Sequence, residues 1–152
     1  MAFSPFPDNG YFYVLDLTKE YVGSFNLAQS MELKHIQTTL FIRGATAGTE
    51  ELRLNVYGTQ QIDSTPICSS SWFNIASGVG SYTNNWIGNV FFDFSGTPIN
   101  QNLDYYLAVE TSGYTRNANT FYLAVRLDWN PSINTNSPTN LAAMSMNILG
   151  LR

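Results

Sequence analysis

The stretch Phe121-Tyr122-Leu123-Ala124-Val125-Arg126-Leu127-Asp128-Trp129 places large apolar residues at every second position, with Tyr122, Ala124, Arg126 and Asp128 between them. Side chains of a β-strand point alternately to opposite faces, so a period of two marks a strand with one face in a core and the other turned outward. The same alternation recurs along the chain. Between His35 and Arg43, Ile36, Thr38, Leu40 and Ile42 share one face, and His35, Gln37, Thr39, Phe41 and Arg43 the other. Leu52, Leu54 and Val56 form an inward row, as do Trp86, Val90, Phe92 and Phe94, and then Leu103, Tyr105, Leu107 and Val109. A last segment, Ala143–Leu149, turns Met144, Met146 and Ile148 to the core. Two further strands are expected over Tyr11–Leu17 and Tyr21–Asn26, and an irregular edge strand from Pro66 to Ile75.

Turn residues separate these segments. Gly44–Thr49 links the strands on either side into an antiparallel hairpin with a long loop, and Glu50-Glu51 at its end is expected to be solvated. Residues 59–65 form a loop, as does the stretch containing Gly78, Gly80, Asn84 and Asn85. Gly96-Thr97-Pro98 breaks the chain again, and residues 130–140, mainly Asn, Ser, Thr and Pro, read as a long surface loop. No helix and no internal repeat stand out. Eight or nine strands of this length specify an all-β fold: a two-sheet antiparallel β-sandwich of jelly-roll type. Residues 1–10 precede it as an extended arm, because two prolines and Asp8-Asn9-Gly10 oppose regular structure while Phe3 and Phe6 need cover. Residues 11–152 then form one sandwich domain, of a size that buries roughly 70% of its unfolded surface without a staple.

Composition narrows the function. Charged residues are 12% of the chain, about half of the ~25% usual in globular proteins. The polar surface is therefore built of amides and hydroxyls, which are cheap to desolvate against a neighbour. A net charge of −4 excludes a phosphate-binding face and with it nucleic acid as a partner. Cys68 is the single cysteine, so no disulfide forms within the chain. No signal peptide is legible at the N-terminus, and no apolar run approaches the ~20 residues of a membrane helix, so the chain is expected to fold in the cytoplasm.

Signatures of catalysis are missing. His35 is the only histidine and lies mid-strand, where neither a metal set nor a general-base arrangement gathers around it. Paired carboxylates would suit glycoside hydrolysis, and Asp93, Glu110 and Asp128 are the candidates, but each also fits an outward position of an alternating strand. No phosphate-binding loop precedes a helix, and no cofactor is implied. What remains are aromatics among neutral hydrogen-bonding groups in two loops, one with Tyr82 and Trp86, the other with Tyr114, Arg116 and Asn117. Such residues serve a protein contact or the stacking and hydrogen bonding of a glycan.

The segments Asn89-Val90-Phe91-Phe92-Asp93-Phe94, Pro98-Ile99-Asn100 and Tyr105-Tyr106-Leu107-Ala108-Val109, with the strand ending at Asp128-Trp129, resemble small β-sandwich proteins of tailed bacteriophage particles. Head-decoration (cement) and fibre-associated proteins are of this kind. The resemblance covers the central third to half of the chain. It implies a non-enzymatic virion component that binds neighbouring subunits through its arm and loops, as part of a homo-oligomer or larger shell. Carbohydrate-binding jelly rolls share the pattern, so a lectin-like module for host or glycan attachment is the alternative expectation.

Overall fold

The computed structural model describes residues 2–5, 11–44, 48–79, 86–117, 122–128, 143–144 and 146–151; for 2–13, 79, 122, 126–128, 143–144 and 146 it describes the backbone alone. Twelve strands are found among these residues: β1 (Ala2–Pro5), β2 (Tyr11–Val14), β3 (Lys19–Phe25), β4 (Met31–Arg43), β5 (Glu51–Tyr57), β6 (Cys68–Ser69), β7 (Phe73–Asn74), β8 (Trp86–Ile99), β9 (Tyr105–Ser112), β10 (Tyr122–Asp128), β11 (Ala143–Met144) and β12 (Met146–Leu151). One short helix, α1 (Ile75–Val79), follows β7.

All pairings are antiparallel, and they form two sheets. The larger runs β1-β2-β10-β4, with β8 on the far edge of β4 and β12 sharing the near edge with β10. The smaller runs β3-β9-β5, with β6 and β7 both on β5. From β2 to β10 the chain passes back and forth between the sheets, with β2, β4, β8 and β10 in one and β3, the consecutive β5, β6 and β7, and β9 in the other. The nested orders β2-β10-β4-β8 and β3-β9-β5-β6 are the double Greek-key winding of a jelly roll.

The core lies between the sheets and follows the period of two. Ile36, Leu40 and Ile42 from β4, Phe92 from β8 and Leu123 and Val125 from β10 meet Leu52, Leu54, Val56, Leu107 and Val109 of the smaller sheet, all essentially inaccessible. The chain also closes the sandwich at one edge. Ser70 N–H donates to Leu54 O in the small sheet (2.8 Å) and Ser71 N–H to Asp93 O in the large one (2.8 Å), so the link between β6 and β7 straps the sheets together. The Ser70 hydroxyl, buried there, accepts from Leu54 N–H at 3.0 Å.

Several expectations need correction. The segments 35–43 and 52–58 do not form a hairpin: β4 and β5 lie in different sheets, and β5 pairs with β9 instead. Both have one core-facing row, and facing each other across the core satisfies that row as well as lying side by side. The strand beginning at Tyr11 ends at Val14, because the Glu20 carboxylate accepts from Asp16 and Leu17 N–H (3.2 and 3.1 Å) and turns the chain there. Gly96-Thr97-Pro98 does not break β8, which continues to Ile99. The strand is irregular at this point, three residues standing opposite Lys34, and Gly96 sits at φ 106° with Glu32 packed against the place a Cβ would occupy. An edge strand also tolerates Pro98.

Smaller differences have equally local causes. The Pro66–Ile75 edge strand is split into β6 and β7 by the Ser70-Ser71 strap, and the chain after β7 winds into α1. Leu103 is exposed, not inward, because Asn102 turns the chain at φ 62° and β9 starts only at Tyr105. Glu50 is buried, its carboxylate accepting from Gly48 N–H at 3.1 Å. The extended arm is laid along β2 over Ala2–Pro5, in register Ala2 with Val14 and Phe3 with Tyr13. Phe6, the side chain of Phe3, the 130–140 loop and the side chains of Met144 and Met146 lie outside the described residues.

Phe92 is 1% exposed at the centre of the sandwich and 6.1 Å from the Phe73 ring. Phe92→Ala is expected to cost about 3–5 kcal/mol of stability, the toll of an unfilled cavity, read as a lowered midpoint in chemical denaturation with an unchanged slope.

Candidate functional site

Three places on this scaffold gather side chains with chemistry. The first is one end of the sandwich, where the β9–β10 connection meets the β2–β3 turn. Tyr114 is half-buried, its hydroxyl donating to Leu15 O (2.8 Å) and accepting from Leu123 N–H (3.1 Å). Gly113, at φ 66° with Thr49 O against its α-carbon, gives the close approach that sets Tyr114 in place. Arg116 pairs with Asp16. Beside them Glu20 is 6% exposed; burial raises its carboxyl above the ordinary range, and the bonds from Asp16 and Leu17 only partly oppose this. Of the two loops singled out as contact sites, the structure therefore ties Tyr114 and Arg116 into the framework, while Asn117 is exposed. Trp86 is likewise part of the framework: its indole packs across Gly88 and against the core. Tyr82 is outside the described residues.

The second place is the outer face of the large sheet where β12, β4 and β8 run side by side. Register sets its rows: Leu149, His35 and Asp93; Asn147, Gln37 and Phe91; Thr39 and Asn89; Phe41 and Ile87. The polar members pair across strands. His35 Nδ1 lies 2.7 Å from Asp93 Oδ1, Thr39 donates to Asn89 Oδ1 (3.0 Å), and Asn147 donates to Gln37 Oε1 (3.1 Å). Ile87 (45%), Phe91 (48%), Leu149 (44%) and Leu151 (59%) stand exposed among them. At the end of this face an open hollow of about 390 Å³ lies between Glu32, Pro98, Asn100 and Leu151.

The third place is the outer face of the small sheet. Glu110 on β9 is directly opposite Arg53 on β5. Glu110 Oε2 accepts from Arg53 Nε (2.9 Å) and from Asn55 Nδ2 (2.8 Å), and the Asn55 carbonyl accepts from Ser69 Oγ at 2.6 Å. Burial pushes the Glu110 carboxyl up, but the bonds from Asn55 and Arg53 and the adjacent positive charge outweigh it and hold the group below the ordinary carboxylate range. The Arg53 guanidinium lies 4.4 Å from the ring centre of Trp72, and Tyr21 and Tyr106 make a tilted pair at 6.3 Å on the same face.

The carboxylates considered for hydrolysis are thus not brought together. Asp93 faces out from the large sheet beside His35, Glu110 faces out from the small sheet beside Arg53, and the Asp128 side chain lies outside the described residues. Arg53, Trp72, Asn55 and Ser69 were not singled out in the sequence. They come from two strands and a strap that become neighbours only through pairing on β5, although the outward position of Arg53 was readable from the row Leu52, Leu54, Val56. No family model matches the chain, and no curated protein or solved structure matches it either.

Burial pushes the Tyr114 phenol up to about 12, with the Leu123 and Arg116 contacts opposing. Between the ordinary value near ~10 and that point the folded chain holds a proton the unfolded chain has lost, so stability is full below the unfolded value and falls as pH rises through the interval. Tyr114→Phe is expected to remove this alkaline slope and, by leaving Leu15 O and Leu123 N–H unpaired, to cost about 1–3 kcal/mol at neutral pH, both measurable by denaturation at a series of pH values.

Proposed function

We propose that this chain is a non-catalytic structural subunit of a larger assembly. The setting to which its sequence resemblance points is the particle of a tailed bacteriophage, as a decoration or fibre-associated component. It meets its neighbours through the outer face of β12, β4 and β8. The observation that carries this reading is the concentration of Ile87, Phe91, Leu149 and Leu151 on one sheet face, all about half-exposed. They stand among cross-strand polar pairs, Thr39 with Asn89 and Gln37 with Asn147, so the face mixes apolar contact points with hydrogen-bonding groups as subunit contacts do. A jelly roll suits the task as a rigid block, though the fold alone assigns no function.

Magnitudes favour an array of contacts over a single tight dimer. Full burial of one such side chain is worth about 1.5–3 kcal/mol. With half of each already covered, the four offer on the order of 4 kcal/mol, near the lower bound of what association costs in lost freedom. A stable contact therefore needs the cross-strand amides as hydrogen-bond partners, the hollow beside Leu151, and repetition around a particle. Surface charge is partly balanced there: Glu32 and Lys34 are 3.6 Å apart, and the Asp93 carboxylate is hydrogen-bonded to His35.

Gradient sedimentation of lysate from the native source, with detection of this chain, tests the reading. Co-sedimentation with very large particles through high-salt washing is the expected result. Recovery only near the top of the gradient overturns it. Phe91→Asp with Leu149→Asp is expected to release the chain from the particle fraction while leaving its melting temperature close to that of the parent, since both side chains are exposed.

A further inference from the structure

We infer that the outer face of the small sheet is a separate binding site for a neutral saccharide chain, which stacks on Trp72 and exchanges hydrogen bonds with Arg53 and Glu110. This site is on the opposite side of the sandwich from the assembly face and does not depend on that reading.

Three observations point to a ligand of this chemistry. Trp72 is 38% exposed, and the Arg53 guanidinium, 4.4 Å from its ring centre, fixes the indole beside the polar groups of this face. Arg53 spends only Nε on Glu110, and Glu110 accepts only through Oε2; among the described residues the Arg53 Nη groups and Glu110 Oε1 make no hydrogen bond. A fork of donors therefore stands beside an open acceptor. Adjacent hydroxyls of a pyranose both donate and accept, and its C–H face packs on an indole.

The third observation is rigidity. Asn55, 1% exposed and two positions from Arg53 on the same face of β5, donates to the Glu110 carboxylate and is itself fixed by Ser69, so the polar groups are set before any ligand arrives. Between this group and the Tyr21–Tyr106 pair lies Ala108, itself buried, so the polar group and the ring pair are neighbours along β9. The charge balance selects a neutral ligand. Lys19 and Arg53 on either side of Glu110, with Glu51 two positions from Arg53 on β5, put two charges of each sign on this face, so neither an anion nor a cation meets a net opposite charge.

The test uses the whole chain, labelled for nitrogen NMR and titrated separately with neutral oligosaccharides of glucose, galactose, mannose and N-acetylglucosamine and with uronic and sialic acid oligomers. The expected result is saturable movement of the Arg53 Nε–H, Asn55 side-chain amide and Trp72 indole signals with at least one series. Trp72→Ala and Arg53→Lys should each weaken that binding by about tenfold or more, with melting temperatures near the parent value. The conservative Arg53 variant keeps the charge and loses the planar fork, which separates hydrogen-bond geometry from simple attraction. The inference is overturned if no series moves these signals at millimolar concentration, if Trp72→Ala binds as the parent does, or if only uronic or sialic acid oligomers bind.

Discussion

The fold hangs on β4. Its thirteen residues pair along one edge with β8 over almost their whole length, while the other edge is divided between β10 at the C-terminal half and β12 at the N-terminal half. Each backbone N–H and C=O withdrawn from water must find a partner, and a central strand finds them on both sides. Three segments that are far apart in the chain are fixed by that one demand. The inward row Ile36, Leu40 and Ile42 then sets the level of the core, and the second sheet settles across it.

A sandwich built this way leaves two outer faces, and they differ in kind. The large-sheet face mixes polar side chains already bonded to one another with apolar side chains left about half-exposed. The small-sheet face carries one connected polar network, fixed by a buried amide, with an indole beside it. Unsatisfied apolar area is an affinity without much direction, suited to repeated subunit packing. A preset fork of donors and acceptors is directional and suited to a ligand with matching hydroxyls. In the polar cluster of Tyr114, Arg116, Asp16 and Glu20 the hydroxyl and the ion pair are engaged in holding the end of the sandwich.

Individual strands were legible wherever the alternation was strict. The rows on β4, β5 and β8, and on β9 from Tyr105 onward, lie where the sequence places them, because burial of one face rewards period two and a one-residue slip would expose the whole row. Boundaries were poorly legible. Leu103 was read as inward when the Asn102 turn had already left it outside, and Gly96-Thr97-Pro98 was read as a break when an edge strand can carry a bulge and a proline. In both cases the deciding factor was a partner strand, or its absence, that no local window contains.

By itself the sequence determined the class: two sheets, an all-β core, and a weakly charged surface of amides and hydroxyls. These follow from local chemistry, since alternation, turn residues and composition act over a few positions. Only the tertiary structure decided which strands are neighbours, and with that which side chains form a site. Arg53 and Glu110 are separated by most of the chain's middle third, and Trp72 sits in a strap with no pattern of its own. Their meeting depends on β5 pairing with β9 in place of β4, a choice made by the packing of whole sheets, because any core-facing row is satisfied equally beside a partner or across from it.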